Sequence, residues 1–319
     1  MDLQEQLTKY LTDAHSIEQQ ALAQMRTAPD LADDPRIAEL FAAHLQETEQ
    51  HERLVRERLE QRDASPATLK DLAGTLTGKG FVAFARSQRD TTGKLVAHAF
   101  SYEHMELAAY ELLRQVAERA GEEDTAAMAR TIAAQEQTMG ERLGSSFDLA
   151  AETALQELAP DDLDAKLDDY LADAHAIEAQ SLTLLGRAPK LAGDEELAAA
   201  YAAHRDETER QQKRIEQRLR DRDAGPSRLK DAAMRLGALN WGFFFSAQPD
   251  TPAKLAGFSY AFEHLEIAGY ELLARVAARV GDSETERLAK ELSAEESAAA
   301  GRLWSLLDRA LDASLPVAE

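Results

Sequence analysis

Acidic and histidine side chains recur inside the apolar helical stripes of this sequence. Glu18 falls in a run with Leu11, Leu22 and Met25, and His15 stands one turn before it. Leu40, Phe41, Leu54 and Val55 frame His44 and Glu47. Glu103 and Glu106 share a stripe with Val96, Ala99, Leu107, Tyr110 and Leu113, and Glu136 is central among Met128, Ile132, Met139 and Leu143. Residues three and four apart share one face of a helix. Four helices therefore each direct at least one carboxylate inward, near mid-length. A lone buried carboxylate carries a desolvation penalty of roughly several kcal/mol, and neighbouring ones repel. Protonation, pairing with a cation or metal binding relieves this. Lys and Arg are not evident at matching depth, and a pair of divalent ions neutralises about four carboxylates at once; oxygen and imidazole donors suit iron, manganese or zinc. The alternative is a closed Glu–His hydrogen-bond network with a structural role.

The pattern occurs twice. "YLTDAHSIEQQ" from Tyr10 returns as "YLADAHAIEAQ" from Tyr170, "AAHLQETE" from Ala42 as "AAHRDETE" from Ala202, and "YEHMELAAYELL" from Tyr102 as "FEHLEIAGYELL" from Phe262, always 160 positions later. That period exceeds a solenoid unit, so it reads as domain duplication. The expected domains are residues 1–158 and 159–319, with the seam at Leu158-Ala159-Pro160-Asp161. Copy two supplies Glu178, Glu207, Glu263, Glu266 and Glu296 and keeps His175, His204 and His264.

Each copy predicts four main helices, an all-α fold. In copy one, helix A runs from about Leu3 to Thr27 and stops before Pro29; helix B follows Asp33-Asp34-Pro35 and reaches about Arg62; helix C follows Asp90-Thr91-Thr92 and ends at Gly121; helix D spans about Glu122 to Leu155. Ser65-Pro66 opens a minor helix to about Arg86 in the long B–C link. Short A–B and C–D links joined by one long crossover specify a ferritin-like bundle topology.

The wider composition excludes several chemistries. With no cysteine there are no disulfides, thiolate metal sites or cysteine nucleophiles. A net charge of −22 over 319 residues opposes binding to nucleic acid or anionic lipid. Met1 to Gln6 carry two acids and no apolar run, so no signal peptide is expected. No stretch approaches the roughly 18 apolar residues of a membrane span, and the expected location is the cytoplasm.

Some residues play lesser parts. Tyr110 and Tyr270, one turn beyond Glu106 and Glu266, are placed to hydrogen-bond a carboxylate. His104 and His264 lie about 100° from the Glu stripe and are expected beside the ligands or between helices. His51 and His98 are replaced in copy two by Gln211 and Phe258, and so carry little weight. Trp241 and Phe243 to Phe245 make one apolar segment suited to packing between domains or subunits.

"DAHSIEQQ", "AAHLQET" and "EHMELAAYELL" together resemble segments of the YciE/YciF-type proteins, a stress-associated bacterial branch of the ferritin-like superfamily. The resemblance covers nearly all of both copies and implies a fused pair related by a pseudo-twofold axis, with further homo-oligomerisation open. The superfamily binds two metal ions per bundle through Glu, Glu-x-x-His, Glu and Glu-x-x-His on helices A to D. Carried across, this implies Glu18 and Glu47 as ligands, Glu103 or Glu106 on helix C, and Glu136 on helix D. Their counterparts are Glu178, Glu207, Glu263 or Glu266, and Glu296. Both histidines of that pattern are missing, since Gln50 and Met139 stand there in copy one and Arg210 and Ala299 in copy two. His15-x-x-Glu18 and His44-x-x-Glu47 place an imidazole one turn before the acid instead. His44 and His204 are thus candidate ligands, and His15 and His175 candidate donors to or beside the ions. The implied function is a di-iron or manganese carboxylate protein of stress response, acting as a ferroxidase or peroxide scavenger. The alternative is a non-enzymatic helical protein with a structural network or a degenerate metal site.

Overall fold

The computed structural model describes residues 2–64, 91–156, 158–227, 230–231 and 250–315. The minor segment from Ser65 to Arg86 and the Trp241–Phe245 cluster lie outside them. Every regular element among the described residues is helical, and none is long and apolar enough to cross a membrane. The chain divides into two compact units, Met1–Ala154 and Leu155–Ser314.

In the first unit α1 (Leu3–Met25) is followed by a single turn, α2 (Ala28–Leu31), and by α3 (Pro35–Gln61). The starts are encoded locally. Asp2 and Glu5 form a reciprocal capping box for α1, while Asp34 caps α3 ahead of Pro35 at its first position. After α4 (Thr91–Arg119), Gly121 takes φ +71°, a left-handed conformation that costs glycine nothing, and the chain turns into α5 (Glu123–Ser145). Helix D was expected to continue unbroken to Leu155, but the structure interrupts it at Ser146 before α6 (Phe147–Leu155). Copy two breaks at the matching Leu306, so a serine hydroxyl is not the cause. In both copies the residue after the break is buried, and Phe147 packs edge-on against Phe100 with ring centres 5.2 Å apart.

Pairings along the helices give the topology. His15 faces Glu52, and Arg62 reaches Thr8, so α1 and α3 are antiparallel. Tyr102 donates to the Ile17 carbonyl and Gln4 to that of Ala120, so α1 and α4 are antiparallel as well. Arg58 meets Thr125 and His51 meets Gln135, which orients α3 against α5. Consequently α3 and α4 run in the same direction, the arrangement of two hairpins joined by a crossover. The second unit repeats it with α7 (Pro160–Leu185), α8 (Ala188–Leu191), α9 (Glu195–Asp221), α10 (Thr251–Val280), α11 (Ser283–Ser305) and α12 (Leu307–Asp312).

Each inner face is a strict three–four progression. In α1 it is Leu7, Leu11, Ala14, Glu18, Ala21 and Met25; in α5 it is Thr125, Ala129, Ile132, Glu136, Met139 and Leu143, all buried. These stripes pack at the bundle axis, so the acids are held in the core by the apolar residues one turn either side of them.

One end of the second unit has a denser polar clamp than the first. Asp282 caps α11 through the Thr285 amide at 3.0 Å and also accepts from Arg218 and Arg222, at 2.6 Å each. Although burial works against it, the Thr285 donors and the two guanidinium groups hold its carboxyl well below the usual range. Its counterpart Glu122 makes no side-chain cap bond. Asp282→Ala is expected to cost roughly 2 kcal/mol and Glu122→Ala well under half of that, read as urea midpoints of the full chain.

Candidate metal centre

In the first unit the inner stripes bring two groups of donors together. His44, Glu103, Glu106 and Glu136 offer ligand atoms all within 4.8 Å of one another, and so do Glu18, His51 and Glu136. Glu136 belongs to both. Every one of these side chains is buried, Glu18 completely.

The histidines are aimed by contacts on their outer sides. His44 Nε2 lies 3.2 Å from Glu103 Oε1, while its Nδ1 is 3.2 Å from Glu47 Oε2. His51 Nδ1 lies 2.8 Å from Glu136 Oε1 and 3.9 Å from Glu18 Oε1, while its Nε2 is 2.9 Å from Gln135 Oε1. Each ring thus turns one nitrogen inward and has the other anchored, the arrangement that fixes imidazole orientation in metal sites. Tyr110 donates its hydroxyl to Glu18 Oε1.

The electrostatics are those of crowded buried acids. Burial, reinforced by the Glu136 carboxylate, pushes Glu18 up to about 8 against the opposing pull of His51. Burial pushes Glu103 up to about 7, with His44 opposing, and drives Glu106 well above the carboxylate range. Burial alone would lower His44, but Glu103 outweighs it and holds the ring well above its ordinary value. Glu18 Oε2, Glu103 Oε2, Glu106 Oε1 and Glu136 Oε2 are buried with no hydrogen-bond partner. Unsatisfied buried acceptors are costly, and these four converge on the same two groups as the imidazoles. An oxygen-rich set with two nitrogens fits a hard or borderline divalent ion.

In the second unit His204, Glu263, Glu266 and Glu296 form the corresponding four-membered group. His204 Nε2 is 2.8 Å from Glu263 Oε2 and 3.8 Å from Glu296 Oε2, with Nδ1 3.4 Å from Glu207. Although burial opposes it, Glu263 lifts this ring to about 9. Tyr270 donates to Glu178, whose carboxyl burial raises to about 8.

The placement of the sequence candidates differs from one to another. Glu47 and Glu207 lie outside the groups: each carboxylate is 32 % exposed, holds the outer nitrogen of the histidine before it, and pairs with Arg142 or Arg302. Glu178 is buried but belongs to no group of three among the described residues. His15 faces Glu52 at 3.1 Å, and His175 lies between Asp231 and Glu216 at 3.0 and 3.3 Å. His104 and His264 bond the carbonyls of Phe100 and Tyr260, and burial lowers His104 to about 4. None of these four joins a donor group among the described residues. His51, whose counterpart in copy two is Gln211, does. Its signal was present, because the buried α3 progression Ile37, Phe41, His44, Thr48, His51, Val55, Leu59 passes through 51 and skips 47.

Removing the Tyr110 hydroxyl leaves a further Glu18 oxygen without a donor. Tyr110→Phe is expected to destabilise the metal-free protein by about 1–3 kcal/mol, measured by urea unfolding.

The family described as "Domain of unknown function (DUF892)" matches residues 2–159 and again 162–315. No curated protein and no solved structure matches the chain.

Proposed function

The chain belongs to the DUF892 family, the YciE/YciF-type ferritin-like group, as two tandem copies, and on that premise we propose that it is a metal-dependent redox protein holding iron or manganese inside its bundles. The observation that carries this reading is the double membership of Glu136. One carboxylate is shared between a His44-containing and a His51-containing group, which is the donor arrangement of two adjacent ions.

Bound there, such ions supply one-electron redox chemistry and Lewis acidity toward dioxygen or peroxide. The protein's own contribution is positional. Glu18, Glu103, Glu106 and Glu136 provide negative charge, His44 and His51 provide nitrogen, and Glu47 and Gln135 hold the rings in register. Leu7, Leu11, Ile132 and Met139 line the same stripes and keep bulk water out. Tyr110, bonded to Glu18, sits where it can hold or pass a proton at the Glu18 carboxylate. Ferroxidase or peroxide-scavenging activity in a stress response is the role that follows. In the competing reading the same residues form a protonated structural network.

Protein purified from iron-supplemented cells is the test. Bound iron or manganese at one or more ions per bundle, with oxygen or peroxide consumed on adding ferrous iron, supports the proposal. No metal after anaerobic reconstitution overturns it and leaves the network.

A further inference from the structure

The two bundles differ at one inward position, and the difference alters the donor count. In the first unit the group of Glu18, His51 and Glu136 exists because His51 supplies a nitrogen 2.8 Å from Glu136. In the second unit that position is Gln211, which is equally buried. Its amide donates to Glu295 at 3.2 Å, much as His51 Nε2 faces Gln135 at 2.9 Å. The outer anchor is kept and the imidazole nitrogen is lost. A neutral amide oxygen remains, a weaker donor than imidazole for iron or manganese. Only Glu178 and Glu296 are left as charged counterparts of that group; Tyr270 bonds Glu178 just as Tyr110 bonds Glu18, so the lost imidazole is the difference between the two.

The other group survives intact. His204, Glu263, Glu266 and Glu296 stay within 4.8 Å of one another. A second, independent sign of a ligand is that Glu266 and Glu296 each bury both carboxylate oxygens without a hydrogen-bond partner, whereas Glu18 and Glu136 in the first unit each bury one such oxygen, Oε2.

Resting on the metal-centre reading above, we propose that the bundles are unequal: the first holds two ions, one on each of the groups that have Glu136 in common, the second a single ion on His204, Glu263, Glu266 and Glu296, giving three ions per chain. Paired-ion chemistry then belongs to the first bundle, and the second acts as a one-ion site.

Anaerobic equilibrium dialysis of the chelator-stripped full chain against ferrous iron counts the ions, and electron paramagnetic resonance of the manganese(II)-loaded chain separates coupled pairs from isolated ions. The wild type is expected to bind three ions, showing one coupled pair and one isolated ion. His51→Gln, which copies the residue of the second bundle, should bind two, both isolated. Gln211→His should bind four, all paired. Thermal melting checks that each variant is folded. If Gln211→His does not fold, the wild-type and His51→Gln counts still decide. Four or two ions in the wild type, or an unchanged count in either folded variant, overturns the inequality while leaving the metal reading standing. No ions in any form overturns both.

Discussion

Glu136→Gln should lower metal affinity in the first bundle by at least about 100-fold at both positions, because partners that merely orient ligands already carry roughly 10–100-fold and Glu136 is shared by both groups. The metal-free variant should be as stable as the parent or more so. Glu136 repels Glu18, Glu103 and Glu106, raising the proton affinity of each, and a neutral amide of the same shape relieves that repulsion. Loss of binding together with a gain in apo stability is the signature of a site strained for function. A structural network gives the opposite result, since removing the partner of His51 then breaks a buried pair at a cost of about 3–5 kcal/mol. Calorimetric titration and thermal melting of the same preparation measure the two effects, with Glu296→Gln as the parallel experiment in the second unit.

The second large effect is on pH. Glu18 and Glu178 are raised to about 8, Glu103 to about 7, and Glu106, Glu266 and Glu296 well above their ordinary range. A folded state that holds protons an unfolded chain would release is stabilised most at low pH. That contribution is complete below the unfolded value of 4.5 and is lost as pH rises through the folded values. Histidines His98 and His104, lowered to about 4 by burial, act in the opposite sense only below their ordinary 6.5. Between pH 6.5 and 8, therefore, the carboxyls and the raised His44 and His204 all point the same way. The melting temperature of the metal-free protein is expected to fall by about 5 °C or more across that window. Metal removes the need for those protons. Loading at pH 8 should release protons, raise the melting temperature by mass action and flatten the pH profile. A metal-free profile that stays level from pH 6.5 to 8 contradicts the account.

The residues that sequence reasoning placed inward mostly are inward, and the exceptions are instructive. Glu47 falls among Leu40, Phe41, Leu54 and Val55 in the sequence and matches the Glu that the superfamily pattern places on helix B, yet it is not inward. One residue along a helix is about 100° of rotation, and the seam uses Thr48, so Glu47 points outward and braces His44. His51 has Gln211 as its counterpart, so comparing the copies gives it little weight, yet two copies of one ancestor need not keep one donor set. The break at Ser146 is likewise not read from the sequence: no proline marks it, and Gly144 just before it is Trp304 in copy two, where the helix breaks at the same place.

Periodicity, capping residues and the 160-residue repeat determined by themselves that this is a tandem helical protein with acids and histidines on its inner faces. Those features are local: each depends on residues within a few turns of one another or on direct comparison of two segments. Which acids meet which histidines was decided only in the tertiary structure. The meeting of Glu136 with both His44 and His51 depends on the axial offset and rotation of α3 against α5, helices that share no turn and are set by packing along their whole length. Among the described residues, the same packing that converts a row of buried carboxylates into two groups with a common member in one bundle leaves a single group in the other, because one inward side chain differs.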